Sequence, residues 1–211
     1  MEPITELLGK INRLYINRQS PNGVYLSPLG EPDVQVLLPR NQVPAEADTG
    51  DVLEAFIYKD SEDRPVATLI VPPLTLGTTA RLKVKEVTDI GAFLDWGLAK
   101  DLLLPFKEQT SRVHEGEEVL VALYLDKSSR LCGTMHVYDY LEADSPYHEE
   151  DHVTGFVYEL TDSYGVFVAV DDKYSALIPH NELIRDFAVG EKIEARIKQV
   201  RDDGKLTLSM K

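Results

Sequence analysis

Apolar and polar residues alternate over short stretches of this chain, most plainly at Ile193, Ala195 and Ile197, which are separated by Glu194 and Arg196. A period of two sends every second side chain to one face, the pattern of a half-buried strand. Short strands with turn signals between them fill the sequence. Only one short helix per repeat is predicted, after a proline, as in HNELIRDF at 180–187.

The pattern recurs three times. Pro39, Pro105 and Pro179 each follow an aliphatic pair, Leu37-Leu38, Leu103-Leu104 and Leu177-Ile178. Eleven residues after each proline stands a glycine (Gly50, Gly116, Gly190), followed by an acidic residue (Asp51, Glu117, Glu191) and a new alternating run. Upstream, a tight turn precedes an aromatic in SPNGVYL at 20–26, TDIGAFL at 88–94 and DSYGVFV at 162–168. Downstream, Arg64, Arg130 and Lys205 precede a last short strand, ending in Ala67-Thr68-Leu69, Gly133-Thr134-Met135 and Leu206-Thr207-Leu208. Four anchors in one order define three units, 1–71, 72–144 and 145–211, because self-similarity at a fixed period marks a repeat architecture. Val71-Pro72-Pro73 makes the first junction stiff, whereas Ala143-Asp144-Ser145-Pro146 and the acidic residues after it form a solvated one. Five strands and one helical turn per unit predict a small closed barrel, which leaves no sheet edge open. The expected fold is all-β, three five-stranded barrels in tandem.

The third unit, GFVYELTDSYGVFVAVDDKYSALIPHNELI followed by VGEKIEARIKQVRDDGKLTLSMK, resembles an S1 domain, the OB-fold RNA-binding module. The second, VTDIGAFLDWGLAKDLLLPF with its Gly116 strand, is similar, and the first is divergent, with an insertion around Leu29 to Asp33. The ordered trio, with DLLLPFKEQ and FIYKDSEDRPVATL, resembles the conserved virulence factor B family, bacterial multi-S1 regulators also described under the name YitL. The resemblance covers essentially the whole chain. It implies three tandem S1-like OB-fold barrels and a cytoplasmic RNA-binding regulator of gene expression, touching virulence factors in some relatives. Family members resemble three S1 barrels followed by a winged helix, whereas this sequence ends at Lys211, after the third unit's last strand. Many S1 domains also carry a histidine where Pro39, Pro105 and Pro179 stand; His180 is one residue off and does not restore it automatically.

OB barrels hold single strands by stacking bases on aromatic side chains and meeting phosphates with nearby cations, about 1–3 kcal/mol per stacked base. Matched to that pattern, Tyr164 and Phe167 occupy the two S1 aromatic positions and Lys205 the basic position before the closing strand, which makes the third unit the best equipped. In the second, Phe93 and Arg130 match, Ile90 takes the first aromatic slot, and Lys83, Lys85 and Lys107 are candidate phosphate contacts. The first offers Tyr25 and Arg64, with Asn22 at the other slot. Period-two aromatics are often core, so Phe93 and Phe167 are compatible with either face, while a turn-adjacent tyrosine such as Tyr164 keeps its hydroxyl wet. The basic residues are equally ordinary as solvated surface, and Trp96 reads as packing.

Charge limits the mode of binding. Lysines and arginines number 22 against 36 acids, a net charge of −14. The excess is even, at six basic against eleven acidic residues, then eight against twelve, then eight against thirteen in the three units. A nonspecific, charge-driven grip on nucleic acid is excluded, and contact has to come from local patches within a Debye length of about 8 Å. Few neutralised phosphates give a shallow salt dependence, near −0.7 in log–log slope per phosphate for single strands. With 43% hydrophobic residues the chain can bury several small cores, and its single cysteine forms no internal disulfide, which fits a reducing cytoplasm. No long apolar span and no basic, apolar leader is visible, so neither membrane insertion nor export is expected.

One rival motif is literal. His148-Glu149-Glu150-Asp151-His152 spells HExxH, the zinc-protease signature, which needs a sustained helix to put both histidines on one face. Ser145-Pro146 before it and the strand-like Val153–Val157 after it leave no room, so it reads as acidic linker. No GxxxxGK[ST] loop, no GxSxG elbow and no arranged carboxylate pair is present, and Cys132 in RLCGTM reads as buried. A non-enzyme without cofactor or metal is expected, with single-stranded RNA, U-rich RNA included, as partner. The competing hypothesis is a protein-interaction scaffold that docks on the ribosome or transcription machinery with little RNA contact. The acidic balance and missing histidine favour the scaffold; Tyr164, Phe167 and Lys205 favour RNA.

Overall fold

The alternating runs close into three barrels in a computed structural model that describes residues 2–211. In the first barrel, β1 (Ile11–Ser20), β2 (Gly23–Ser27), β3 (Val36–Pro39), β4 (Val52–Lys59) and β5 (Pro65–Thr68) take the order β1-β2-β3-β5-β4. The second repeats it with β6 (Thr79–Val87), β7 (Gly91–Asp95), β8 (Leu102–Pro105), β9 (Glu118–Leu125) and β10 (Leu131–Thr134). The third uses β11 (His152–Thr161), β12 (Gly165–Val170), β13 (Tyr174–Pro179), β14 (Lys192–Val200) and β15 (Leu206–Ser209). In the first and third barrels pairing is antiparallel except where the third strand meets the fifth, as in Leu37 opposite Val66 and Leu177 opposite Thr207.

The sequence anchors are the joints of these barrels. Gly23, Gly91 and Gly165 open the second strand of each, with φ of 151°, 145° and 134°. A β-carbon there would lie 2.0, 2.4 and 2.2 Å from the carbonyl oxygens of Leu38, Leu104 and Ile178, so only glycine lets the third strand pair this closely. The later glycines close the barrel: the amides of Gly50, Gly116 and Gly190 each donate to the carbonyls of Ile16, Val84 and Val157 at 2.8 Å. Each barrel's first strand also carries a bulge, between Ile16 and Arg18, Val84 and Glu86, and Val157 and Glu159, which bends the strand for closure.

The helix expected at 180–187 is a single 3-10 turn, His180–Glu182, and Leu183 is already extended at φ −80° and ψ 143°. Side-chain bonding explains the early stop. The buried Glu182 carboxylate accepts from Lys198 Nζ and from Ser209 Oγ, the latter at 2.5 Å, while its carbonyl accepts the Met210 amide at 3.1 Å. The same pin recurs as Gln42 Oε1 to Thr68 Oγ1 and Glu108 Oε1 to Thr134 Oγ1, both 2.8 Å. It also corrects the last anchor: Ser209, not Thr207, is the counterpart of Thr68 and Thr134.

By compactness the chain divides into two units. The first comprises residues up to Leu76 with Trp96–Leu102 and Leu123–Cys132. Leu14, Ile16, Leu26, Leu38 and Ile57 fill its barrel, and the buried Trp96 meets the Phe56 ring edge-on at 5.7 Å while its indole N–H donates to the Lys100 carbonyl. The second comprises Gly77–Asp95, Leu103–Ala122 and Gly133–Lys211. Val157, Val168, Ile178, Ile197 and Leu208 pack the third barrel, and Leu120, Ala122, Val137, Phe156, Tyr158 and Ala169 form a second apolar cluster. Within this unit Arg81 Nε donates to Asp172 at 2.8 Å, and Thr79 to the Asp172 carbonyl at 2.8 Å. These bonds hold the β12–β13 turn, where Asp171 and Asp172 sit at left-handed φ of 56° and 59°, a conformation costly for non-glycine residues.

Candidate nucleic-acid interface

The period of β12 decides how Phe167 is presented. Val166 and Val168 point into the barrel, so Phe167 between them faces outward, with Glu159 on β11 and Leu177 on β13 as cross-strand neighbours. Tyr164, in the preceding turn, is 64% exposed, and its ring lies 6.3 Å from that of Phe167. His180 fixes this turn: its Nε2 lies 2.8 Å from the Asp162 carbonyl, which can only accept, so this nitrogen carries the proton. A third ring comes from outside the barrel strands. Tyr138, in the 3-10 turn Tyr138–Tyr140, stands edge-on to Phe167 at 5.6 Å and 83°. Tyr158, at the β11 bulge, lies behind, 6.0 Å from Phe167.

These four rings, with Glu159, Leu177 and Arg201, line a cleft of about 430 Å³, a size in the ordinary range of small-ligand sites. Lys205 Nζ lies 4.4 Å from the Tyr138 ring centroid and donates to its hydroxyl at 2.7 Å. Tyr158 is 1% exposed, and its hydroxyl has no hydrogen-bond partner among the described residues. Burial, with the Glu159 charge adding, raises its pKa, so it stays protonated. His136 Nδ1 lies 3.7 Å from Glu159 Oε1 at the rim.

The turn before the fifth strand separates the three barrels. In the first, Asp60 stands four residues ahead of Arg64, accepting its amide at 3.0 Å and its Nε at 3.0 Å. In the second, Asp126 does the same for Arg130, at 3.0 and 3.1 Å. Burial pushes both carboxyls up, but the amides and guanidinium they accept from outweigh it and leave them below the usual Asp value. The third barrel has Arg201 at this place, four residues ahead of Lys205. Arg201 leans on Asp203 at 3.2 Å, an exposed pair of the kind that contributes about 0–1 kcal/mol. Two cations therefore flank the aromatic cleft where the other barrels neutralise one.

The remaining predicted residues are arranged differently. Tyr25 is half-buried, and the Arg18 guanidinium lies 3.9 Å above its ring, where a base would stack. Arg64 is exposed but also pairs with Glu62 at 3.0 Å. Phe93 is half-buried opposite Glu86, and beside it in sequence Ile90 is well exposed. Lys83 is registered between Asp95 on β7 and Glu118 on β9, Lys85 is exposed at the bulge, and Lys107 is exposed in the turn Phe106–Glu108. Arg130 lines a small cavity with Lys59, Trp96 and Lys100. The structure thus brings Tyr164, Phe167 and, through Tyr138, Lys205 together. Sequence reasoning missed Tyr138, Arg201, Glu159, Arg18 and the exposed Phe106. Arg201 alone had a readable signal, its place four residues before the basic anchor.

The HExxH letters lie on a turn: Glu150 has φ 74°, and His152 begins β11, so no helical face carries both histidines. Among the described residues no group of three or more His, Cys, Asp or Glu is placed to hold a metal, and no helix is long and apolar enough to cross a membrane.

Closed 1-2-3-5-4 barrels with outward aromatics on the second strand are S1-type OB folds. The S1-domain family model matches residues 8–69 and 76–136, and the model for "Virulence regulatory factor CvfB, second domain" matches 139–211. The chain belongs to the conserved virulence factor B family of multi-S1 proteins. The divergent first unit is thus matched as an S1 domain, and the third by the family-specific model. Bacillus subtilis YitL is 27% identical over 213 residues, 96% of this chain and 70% of YitL. The Staphylococcus epidermidis conserved virulence factor B is 23% identical over 214 residues, 95% of this chain and 70% of that protein. A crystal structure described as a multidomain protein with nucleic acid binding domains from Streptococcus pneumoniae superposes with a TM-score of 0.62 at 20% identity, covering 98% of this chain and 74% of that one. This likeness concerns the fold.

Proposed function

We propose that this protein binds single-stranded RNA in the third-barrel cleft and acts as a cytoplasmic regulator of gene expression, without catalysis of its own. The observation that carries the reading is the exchange of sign at one turn position, Asp60 and Asp126 against Arg201, beside Tyr138, Tyr164 and Phe167. Rings supply stacking surface that needs no net charge, and the cations meet phosphates locally despite the chain's −14. Membership of a family named for virulence regulation, and a structural neighbour described by its nucleic acid binding domains, support the same role. Affinity is modest and its salt dependence shallow.

The test is fluorescence anisotropy with a labelled single-stranded octamer, U-rich in the first instance, on the parent and on Tyr164→Ala with Phe167→Ala. Two rings at about 1 kcal/mol or more each predict a loss of at least about thirtyfold. Unchanged binding in a folded double variant would overturn the stacking site. The second barrel supports a second reading, docking of a ribosomal or transcription protein, because it exposes Val87, Ile90 and Phe106. Loss of partner binding on Ile90→Asp with Phe106→Ser, with RNA binding intact, would assign that face to a protein.

A further inference from the structure

We infer that the third-barrel cleft selects guanine, a deepening that rests on the RNA-binding reading above. Glu159 faces the stacking ring. It is the cross-strand neighbour of Phe167, it lines the cleft, and its side chain is one-third exposed. A carboxylate accepts hydrogen bonds only, and it repels phosphate, so an RNA strand lying on Phe167 has to turn a base edge towards it. The Watson–Crick edges of the four bases answer a carboxylate differently. Guanine offers two adjacent donors, N1–H and the 2-amino group, which match the two carboxylate oxygens. Uracil places one N–H between two carbonyls, and adenine and cytosine set an amino group beside a ring-nitrogen acceptor; each puts a lone pair against the negative charge.

Arg201 complements this choice. It lines the same cleft and meets the strand's phosphate there, which leaves the base edge to Glu159. Acceptor, donor and ring walls coincide in one barrel. In the first, Arg18 occupies the position of Glu159 and covers Tyr25. In the second, Glu86 holds that position, but Ile90 replaces Tyr164 and Asp126 replaces Arg201. Guanine selection therefore belongs to the third barrel, with Glu159 as its specificity-determining residue.

The experiment uses the full chain and labelled uridine octamers whose central residue is U, G, A, C or inosine, which lacks the 2-amino group. A well-made bidentate contact predicts about tenfold tighter binding of the G octamer than of the U octamer, with inosine in between. Glu159→Gln and Glu159→Ala should each bring G binding to within about twofold of U binding by the same variant. Equal binding of all five octamers, lost in the Tyr164→Ala, Phe167→Ala protein, overturns guanine selection and leaves RNA binding standing. A guanine preference that survives both Glu159 variants overturns the assignment to Glu159. Failure of every octamer to bind overturns both readings.

Discussion

Replacing Arg201 with aspartate gives the third barrel the turn chemistry that the other two already have. In those turns the aspartate accepts the cation's own amide and side chain at about 3 Å, as Asp60 does from Arg64 at 3.0 Å. Arg201→Asp therefore removes one cation and recruits Lys205, now bonded to the Tyr138 hydroxyl, into an ion pair. At about 0.7 per neutralised phosphate, Arg201 and Lys205 together contribute about −1.4 to the log–log salt slope. A rise from about 50 to about 200 mM salt then weakens parent binding by about sevenfold through these two charges. In Arg201→Asp that share falls towards zero, so the two proteins differ most at low salt and converge as salt rises. Anisotropy titrations of one RNA octamer at four salt concentrations measure both slopes. Equal slopes, or a steeper slope in the variant, would refute the assignment of these cations to phosphate contact.

Three further outcomes concern the scaffold. Gly165→Ala forces a β-carbon to within 2.2 Å of the Ile178 carbonyl at φ 134°, and a cost of about 3 kcal/mol should lower the melting temperature by several degrees. Hydrogen bonds from Lys198 and Ser209 hold the Glu182 carboxyl below its usual range, against the opposing effect of burial. Its contribution is present above the unfolded-state value near pH 4 and disappears as pH falls through the lower folded-state value. The melting-temperature gap between parent and Glu182→Gln should therefore be widest above about pH 5 and narrow on acidification; a gap that widens in acid contradicts the pin. Tyr158→Phe removes a buried hydroxyl with no partner among the described residues, and chemical denaturation should show it neutral or stabilising by up to about 1 kcal/mol.

Repeat anchors were legible because they answer local, near-obligatory demands of the backbone. Gly23, Gly91 and Gly165 admit no β-carbon, and the glycine–acid pairs mark the reciprocal bonds that close each barrel. The barrels and the family followed from those anchors, as did the outward placement of Tyr164. What escaped depends on contacts that spacing does not encode. Tyr138 lies before the third barrel's first strand, and nothing in its neighbours' sequence says that it leans on Phe167. Arg18 and Glu159 face Tyr25 and Phe167 only because a bulge shifts the β1 and β11 registers by one residue. The helix at 180–187 failed because Glu182, a good helix former, is held by Lys198 and Ser209 instead. Thr207 looked equivalent to Thr68 by composition, but the parallel pairing with β13 sets Ser209 there.

Bases lying against the rings of the third barrel shift the ring protons, and ring-proton NMR of the 23.7 kDa protein during titration with a single-stranded RNA octamer tests this most directly. The expected spectrum shows upfield shifts at Tyr138, Tyr164 and Phe167 while Tyr25 and Phe93 stay in place. Bound RNA that leaves those three rings unshifted, with the changes gathered instead at Phe93 and Phe106, would contradict it.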